Sequence, residues 1–190
     1  MLRVCNLRKS FGENVVFEDL SFEITPGEKV FLSAPSGKGK TTLLRILSGL
    51  EKADGGRVEG VSPREISYCF QEPRLFPQLT ALQNILCILP DPKKEEERGL
   101  ELLRALGLED GANKLPKELS GGMKQRVALA RALMSDRPVL LLDEPFAALD
   151  AELKDSVRRI VADICRDKTL ILVSHQPEDG EILTKRTIFL

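Results

Sequence analysis

Hydrophobic and polar residues alternate along two segments of the first seventy residues. The period of two in Leu20–Thr25 predicts a half-buried strand, and Ile66–Phe70 also has large apolar residues at every second position. Turn residues separate such segments at Pro26-Gly27 and at Asp54-Gly55-Gly56. We therefore expect this part of the chain to be rich in antiparallel strands.

One segment within the first seventy residues has a different pattern. Val30–Leu32 is a short continuous apolar run, and a loop of small residues follows it. A helical pattern comes next, with its apolar face at Leu43, Leu44, Ile46, Leu47 and Leu50. The predicted order is therefore strand, loop, helix.

The middle third of the chain predicts three helices. The first begins after Thr80 and ends before Pro90, and the third begins after Ser120. The second follows the charged run Lys93–Arg98, which we interpret as a solvated helix face, and stops at Gly107. Their apolar positions are Leu82, Ile85, Leu86, Leu89, Leu100, Leu103, Leu106, Met123, Val127, Ala130 and Met134.

The last third alternates strand and helix. Val139–Leu142 and Thr169–Val173 are continuous apolar runs of strand length, and between them lies a helical stripe that starts at Leu153, with Asp150 placed to cap it. Buried strands separated by helices are typical of a parallel sheet covered on both faces. We expect an α/β fold with a helical insert.

Length and composition limit the functions that are possible. A chain of 190 residues allows one domain, and 28 basic against 29 acidic side chains give no positive field for nucleic acid. No apolar run approaches the ~20 residues of a membrane-spanning helix, and we expect no secretory signal, because the first ten residues carry basic side chains with no apolar run behind them. The four cysteines form no C-x-x-C pair, so we expect reduced, mostly buried thiols and no zinc site.

The segment Ala34–Thr41 (A-P-S-G-K-G-K-T) fits the phosphate-loop pattern at every position except the first. Gly37 and Gly39 allow the backbone to wrap with its N–H groups pointing inward, and the following helix adds its positive dipole end. Lys40 can then reach the β- and γ-phosphates, and the Thr41 hydroxyl can hold Mg²⁺. Lys38 is a second cation that either contacts phosphate or remains solvated.

Ala34 stands where the pattern has glycine. If the first position of the loop needs a positive φ, the alanine costs about 1 kcal/mol. We expect a less preorganised loop, not an inactive one.

Acidic and basic side chains follow the predicted parallel strands. Asp143 and Glu144 end the strand Val139–Leu142, at the sheet edge where ligands of α/β folds bind. Asp143 is expected to bind Mg²⁺ and Glu144 to polarise an attacking water. His175, the single histidine, ends the next strand, where a catalytic role and a structural one are both open.

A second anion-binding construction opens the helix after Leu119: Ser120, Gly121 and Gly122. The motif L-S-G-G-x-x-Q, with a phosphate loop upstream and L-L-L-D-E-P downstream, resembles the ATP-binding subunit of ABC transporters over nearly the whole chain. The residues of these motifs are most similar to those of importer ATPases for nitrate, sulfonates and taurine.

The resemblance implies a role for each matching residue. Phe11 stacks on adenine, Ser36 through Thr42 form the phosphate loop, and Gln71 is the Q-loop glutamine, which contacts Mg²⁺ and the attacking water. Asp143 and Glu144 are the magnesium ligand and the general base, and His175 is the switch histidine. The resemblance implies catalysis by Glu144, His175, Gln71 and Lys40, metal binding by Thr41, Gln71 and Asp143, and ATP binding by Phe11, Ser36, Gly37, Lys38, Gly39, Lys40, Thr41, Thr42, Ser120, Gly121, Gly122 and Asp150.

The family fold joins a RecA-like parallel sheet, an antiparallel β edge and a helical subdomain, here expected at about residues 77–137 of a single domain without a C-terminal regulatory domain. Two subunits, identical or paralogous, would sandwich two ATP head to tail. The implied partners are a membrane permease and, for an importer, a solute-binding protein. The implied location is the cytoplasmic face of the membrane.

Three alternatives remain at this stage. A soluble, non-transport ABC ATPase acting on DNA or ribosomes is disfavoured by the short, helical stretch between Gln71 and Leu119 and by the charge balance. An exporter subunit would share the same motifs. A small-molecule kinase would explain Lys40 and Asp143, but not Ser120–Gly122 or His175.

Overall fold

A computed structural model describes the backbone of residues 1–190 and all side chains except those of residues 151 and 152. The strands and helices in chain order are β1 (Leu2–Phe11), β2 (Asn14–Ile24), β3 (Lys29–Ser33), α1 (Lys40–Leu47), β4 (Gly55–Glu59), β5 (Ile66–Cys69), α2 (Ala81–Leu86), α3 (Glu96–Ala105), α4 (Gly121–Met134), β6 (Val139–Asp143), α5 (Ala151–Ile164), β7 (Thr169–Val173), α6 (Pro177–Leu183) and β8 (Arg186–Phe189). Single 3₁₀ turns lie at Pro63–Glu65, Glu109–Gly111 and Pro116–Glu118. The chain divides into two compact units, described separately below.

The first unit, residues 1–68, 137–143 and 166–190, contains an antiparallel sheet with the strand order β2-β1-β4. β1 pairs with β2 from Leu2 opposite Ile24 to Phe11 opposite Asn14, with irregularities in the register along the way. The predicted strand Leu20–Thr25 is confirmed as the end of β2 up to Ile24, with Thr25 just beyond the strand.

The other sheet has the strand order β5-β6-β7-β3-β8, with β6, β7, β3 and β8 parallel along the ladders β6/β7, β7/β3 and β3/β8. The predicted buried strands are confirmed, since β6 and β7 are buried at every position. The segment Ile66–Phe70, expected among the antiparallel strands, lies instead in this sheet as β5, next to β6. The burial of β5 does not follow the alternation either, because Ile66, Ser67 and Cys69 are all buried and Tyr68 is half-buried. Pairing between distant segments decided its neighbour.

The core of the first unit forms around α1, where Leu43 and Leu44 are fully buried beside Val30 and Leu32 of β3. Leu50 was expected on this apolar face, but the structure contradicts this, because Leu50 is 58% exposed. The helix ends at Leu47, and Gly49 adopts a φ of +75° that turns the chain away before Leu50.

The second unit, residues 69–136 and 144–165, contains α2 to α5. The predicted caps Thr80 and Asp150 are confirmed, since they accept from the Gln83 and Leu153 amides. Ser120, which precedes α4, caps its helix in the same way by accepting from the Met123 amide. α2 ends at Leu86, earlier than the prediction that included Leu89.

Helix α3 buries Leu102 and Leu103, and Leu106 is buried just after it, but Leu100 is exposed rather than on the apolar face. The charged run Lys93–Arg98 is largely exposed, as predicted, but only its second half belongs to a helix, because α3 begins at Glu96. Gly107 ends the segment with a φ of +65°.

The cysteines of the described chain are free thiols. Cys69 and Cys165 are buried, whereas Cys5 is half-buried and Cys87 is exposed, so the expectation of mostly buried thiols holds for two of them. In the part of the chain that the structure describes, no helix is both long and apolar enough to cross a membrane.

Candidate active site

Three parallel strands of the first unit end at the same edge of the sheet. The order β6-β7-β3 makes them neighbours, with Asp143 opposite Val173 and Leu32 opposite the same residue on its other side. The phosphate loop follows β3, Asp143 ends β6, and His175 follows β7 by two residues. The topology therefore places all three predicted elements at the carboxyl edge of one sheet, where ligands of α/β folds bind.

The phosphate loop has the backbone that its glycines predict. Gly37 has a φ of +78°, and Gly39, which caps α1, has a φ of +86°. A Cβ on Gly39 would lie 2.3 Å from Cγ1 of Val16 and 2.8 Å from the Phe17 ring, whereas no described atom lies within 4 Å of a Cβ built on Gly37. Glycine is therefore required at position 39 by both conformation and space.

Ala34 does not strain the loop. Positive φ among the non-glycine residues of the described chain occurs at Asn6, Arg74 and Glu144 only, so the first loop position does not need it. The condition for the 1 kcal/mol cost is not met. A methyl group at this position is compatible with the loop.

Lys40 is the first residue of α1 and is 8% exposed. Its ammonium donates to the carbonyl of Ala34 at 2.6 Å and to that of Pro35 at 3.2 Å. These bonds hold the lysine across the loop, while Ser36 and Lys38 are exposed and Thr41 and Thr42 are half-buried. The α1 amides face the loop without intrahelical partners, as in any first helical turn.

Asp143 is 1% exposed and accepts a hydrogen bond on Oδ2 from the Tyr68 hydroxyl at 3.1 Å. Its Oδ1 atom is buried without a hydrogen-bond partner among the described residues. Burial raises the pKa of the Asp143 carboxyl above its ordinary value, and the hydroxyls of Thr41 and Tyr68 offset part of this rise.

The Asp143 carboxyl has one oxygen without a hydrogen-bond partner, and the Thr41 hydroxyl is close enough to offset part of the rise in the pKa of this carboxyl. Carboxylate and hydroxyl oxygens are donors that suit Mg²⁺. The described residues contain no group of three His, Cys, Asp or Glu side chains that would hold a metal by themselves. The donors therefore fit an ion whose other ligands are phosphate oxygens and water.

Glu144 has a left-handed backbone, with a φ of +52°, and is 5% exposed. For a residue with a Cβ this conformation costs about 1–3 kcal/mol and is found mainly at functional sites. The outlier therefore supports a functional role for this side chain, which its sequence neighbour Asp143 had suggested.

Phe11, at the end of β1, is 51% exposed. The ammonium of Lys9 lies 4.7 Å from the centroid of its ring. A large, half-exposed aromatic ring is available as a stacking surface.

The second unit contains the other glycine motif, at the start of α4. The Ser120 hydroxyl accepts from the Met123 amide at 3.2 Å, which uses it as a helix cap. A Cβ on Gly121 would meet no described atom within 4 Å, whereas a Cβ on Gly122 would lie 2.8 Å from the carbonyl oxygen of Ala148. The motif is therefore packed against residues just before Asp150 at Gly122 and open at Gly121.

Gln71 is exposed, and side chains of α4 hold the backbone on either side of it. Gln125 donates to the Phe70 carbonyl at 3.4 Å, and Arg131 donates to the Pro73 and Arg74 carbonyls at 3.0 and 3.1 Å. The helix that starts at Gly121 thus also supports the segment around Gln71.

Residues 17–147 match the family described as ABC transporter. The chain belongs to the ABC transporter family. It is 43% identical over 186 residues, 97% of this chain and 69% of the relative, to the aliphatic sulfonates import ATP-binding protein SsuB 3 of Rhodococcus jostii. It is 40% identical over 200 residues, 97% of this chain and 85% of the relative, to the probable sulfate/thiosulfate import ATP-binding protein CysA of Chlorella vulgaris.

A solved structure also resembles this ABC protein. It is the dimeric ATP-binding cassette MJ0796 in a post-hydrolysis state bound to ADP and Pi, with a TM-score of 0.88 and 31% identity. The match covers 100% of this chain and 94% of the cassette. The predicted α/β fold of a P-loop ATPase is confirmed.

Two residues near the ABC motifs were missed by sequence reasoning. The sequence pattern places Tyr68 only in an alternating segment and Lys9 only among the basic residues of the N-terminus. Both contacts are long range, since Tyr68 and Asp143 are 75 positions apart and Lys9 and Glu51 are 42 positions apart. A signal in the sequence was that Tyr68 is the single tyrosine and lies three residues before Gln71.

Proposed function

We propose that this protein is the ATP-hydrolysing subunit of an ABC importer, with Mg²⁺ as its cofactor and residues 1–190 as one ATPase domain containing a helical subdomain at about 77–137. The observation that most directly supports the nucleotide site is in the first unit. The phosphate loop, the buried Asp143 and His175 follow three neighbouring parallel strands.

The loop binds the phosphates. Amides of residues 36–42 and the ammonium of Lys40 surround the β- and γ-phosphates, and Lys38 adds positive charge at the entrance. Thr41, Asp143 and Gln71 would hold Mg²⁺, which neutralises charge on the transferred phosphoryl group. Because the Asp143 carboxyl is already buried at this edge, little reorganisation is needed for it to act as a ligand.

Glu144 accepts the proton of the water that attacks the γ-phosphorus, Gln71 orients this water, and His175 contacts the γ-phosphate. The products are ADP and free phosphate. The left-handed backbone of Glu144 changes the direction in which its side chain leaves the chain, compared with an extended or helical residue, and this conformation is already present without substrate.

A second copy or a paralogue completes the site. Ser120, Gly121 and Gly122 bind the γ-phosphate of ATP held by the other subunit, and Asp150 lies in the segment that meets it. The open space around Gly121 supports this arrangement, as does the dimeric state of the similar cassette MJ0796. Hydrolysis then depends on closure of the dimer.

The partners of this subunit are a membrane permease and a solute-binding protein, and it works at the cytoplasmic face of the membrane. The relatives named for import of aliphatic sulfonates and of sulfate or thiosulfate support import, and they suggest small sulfur oxyanions as the solute class. The solute itself is selected by the other chains of the system.

The assignment of catalysis is tested with Glu144→Gln, which keeps shape and removes basicity. We expect ATP to bind with unchanged affinity while phosphate release falls at least about a hundredfold, because proton transfer contributes about 10²–10⁴. Free phosphate and ADP are measured in a dimer-forming preparation, with parent protein as the control. Hydrolysis near the parent rate at saturating Mg²⁺ would contradict the role of Glu144, and transfer of phosphate to another acceptor would indicate a kinase.

The permease contact is proposed at Pro73–Leu79. Phe76 is 51% exposed, while its backbone is fixed by the fully buried Asn84, which bonds both its N–H and its carbonyl. The Arg131 guanidinium lies 5.9 Å from the Phe76 ring. A rigid backbone that presents an exposed aromatic side chain is typical of an anchor for a partner helix.

Phe76→Ser should leave the melting temperature and the basal ATPase of the isolated subunit unchanged and abolish assembly with the permease. Val15→Ser is the matched control, because Val15 is similarly exposed, at 52%, on β2. Loss of folding in Phe76→Ser would instead indicate a core role, and transport at the parent level would remove the segment from the interface.

A further inference from the structure

Lys9 is a buried lysine that no step of the proposed hydrolysis uses. It lies in β1, and 6% of it is exposed. Its ammonium donates to Glu51 Oε1 and to the carbonyl of Lys52, both at 2.8 Å, and lies 3.4 Å from Asp54 Oδ1. These three acceptors match the three donors of an ammonium group.

The same ammonium lies 4.7 Å from the centroid of the Phe11 ring. It therefore covers one face of the ring, while half of the side chain remains exposed. The backbone beside Phe11 is tied to the same loop, because the Ser10 amide donates to Asp54 Oδ2 at 2.7 Å. The ring is thus fixed by a cation on one side and by its own strand.

We propose that Lys9 is a positioning residue for the nucleotide base, which orients the Phe11 ring and makes its exposed face a stronger stacking surface for a purine. The proposal rests on the proposed function, in which Phe11 is the adenine platform. A ring that is already ordered loses less entropy when the base binds. A cation on the far face withdraws electron density from the ring, which favours stacking of an electron-rich purine on the near face.

A purely structural role for Lys9 makes a different prediction. In that case Lys9 only ties β1 to residues 51–54, and its removal affects binding of any ligand equally, whether or not Phe11 is present. The positioning role requires the effect of Lys9 to pass through the ring and to appear only for ligands that have a base. A double-mutant cycle separates the two roles.

The cycle uses the full chain with Lys9→Met, Phe11→Leu and the double variant, and it measures Kd for Mg-ATP and for inorganic tripolyphosphate. We expect Lys9→Met to weaken ATP about threefold to tenfold in the presence of Phe11 and less than about twofold in its absence. Phe11→Leu alone should weaken ATP about tenfold. Neither change should alter the affinity for tripolyphosphate, which lacks a base.

Lys29→Met is the matched control. Lys29 is also a lysine of the first unit whose ammonium donates to backbone carbonyls, those of Gly27 and Arg166, at 3.0 and 2.7 Å. It should leave the ATP affinity unchanged. If Lys9→Met does not fold, Lys9→Gln retains hydrogen-bond donors without the cation, and the same cycle is run with it.

An equal loss of ATP affinity with and without Phe11, or an equal loss for tripolyphosphate, would overturn the positioning role. Unchanged ATP affinity in Phe11→Leu would overturn it as well, while leaving the ATPase assignment intact. That assignment fails separately, if the parent protein binds neither ligand or if Lys40→Met binds both as tightly as the parent.

Discussion

Two glycine motifs open helices in this protein, and they differ in how much of an anion site each one supplies. The phosphate loop has a helix cap without a side chain, two glycines with positive φ, and its own buried cation, Lys40. The second motif, Ser120–Gly122, has the exposed Ser120 as a side-chain cap that accepts from the Met123 amide, and Gly121 is open to space that no described atom occupies.

Arg126, one turn after the Ser120–Gly122 motif in α4, is already bound to backbone carbonyls and is not available as a phosphate ligand. Arg126 sends Nη1 to the carbonyls of Leu106 and Gly107, both at 2.9 Å, and Nε toward that of Gly122 at 3.4 Å. The phosphate loop therefore has a buried cation of its own, whereas Arg126, in the helix that follows Ser120–Gly122, is bound to backbone carbonyls. In the proposed dimer, the Ser120–Gly122 motif is completed by ATP that the other subunit holds. The two motifs should respond differently to the same substitution.

The largest effect is expected from Gly39→Ala. The new methyl group would overlap Val16 and Phe17, and alanine would have to adopt the φ of +86° that the loop requires. The free energy of unfolding should therefore fall by about 2–4 kcal/mol. ATP affinity should fall at least about tenfold. Gly37→Ala is the control, because its φ of +78° costs about 1 kcal/mol but its methyl group meets no described atom. Equal losses in the two variants would show that close packing at Gly39 is unimportant.

The Ser120–Gly122 motif should separate stability from activity. Gly122→Ala places a methyl group 2.8 Å from the Ala148 carbonyl and should cost about 1–3 kcal/mol of stability, measured by denaturant unfolding of the monomer. Gly121→Ala should leave stability unchanged or raise it by up to about 0.5 kcal/mol. Its ATP-driven dimer should nevertheless turn over about tenfold to a hundredfold more slowly, because the methyl group displaces the incoming phosphate.

If Gly121→Ala hydrolyses ATP in the dimer at the parent rate, the proposal that Ser120–Gly122 contacts ATP held by the other subunit would be wrong.

The smallest effect is expected at acidic pH, where the contacts of Glu51 and Asp54 with the end of β1, beside Phe11, should weaken before the rest of the fold. The pKa of Asp54 is lowered by the Ser10 amide and by Lys9, and that of Glu51 is lowered by its hydrogen bond to Lys9. Both folded pKa values lie below the unfolded ones, so this stabilisation is present at neutral pH and is lost as pH falls through the folded values. The pKa of Lys9 is raised, mainly by Glu51, so Lys9 stays charged throughout this range.

Hydrogen-exchange protection factors, which correct for the slower intrinsic exchange in acid, should therefore fall at the end of β1 and in residues 51–54 below about pH 4, before they fall in the middle of α4. Asp54→Asn should reduce this difference in pH dependence. Simultaneous loss of protection in both regions would show that these carboxylates are not local supports.

Local signals predicted most of what this comparison uses. The phosphate loop, the apolar strands before Asp143 and His175, and the caps Thr80 and Asp150 depend on residues a few positions apart. Caps and glycine turns are decided by short-range geometry, which sequence patterns record directly. The family motifs follow the same logic, because each lies within one loop.

What sequence reasoning missed depends on pairing between distant segments. Ile66–Cys69 alternates like an antiparallel strand, but it lies beside β6 in the other sheet, and this brings Tyr68 to Asp143. The position of Lys9 under Phe11 follows from the register of β1 and from the turn at residues 51–54. Neither contact has a local pattern. The roles of the site residues in binding and catalysis remain predictions for the experiments above.

The left-handed backbone at Glu144 sets folding stability against the proposed rate of ATP hydrolysis. Glycine is the residue that would relax this φ, and it would make the folded protein harder to unfold. Glycine would also delete the only group at this position able to take a proton. Selection for stability alone would therefore favour glycine at this position, and the proposed role of Glu144 as proton acceptor would account for the glutamate found there.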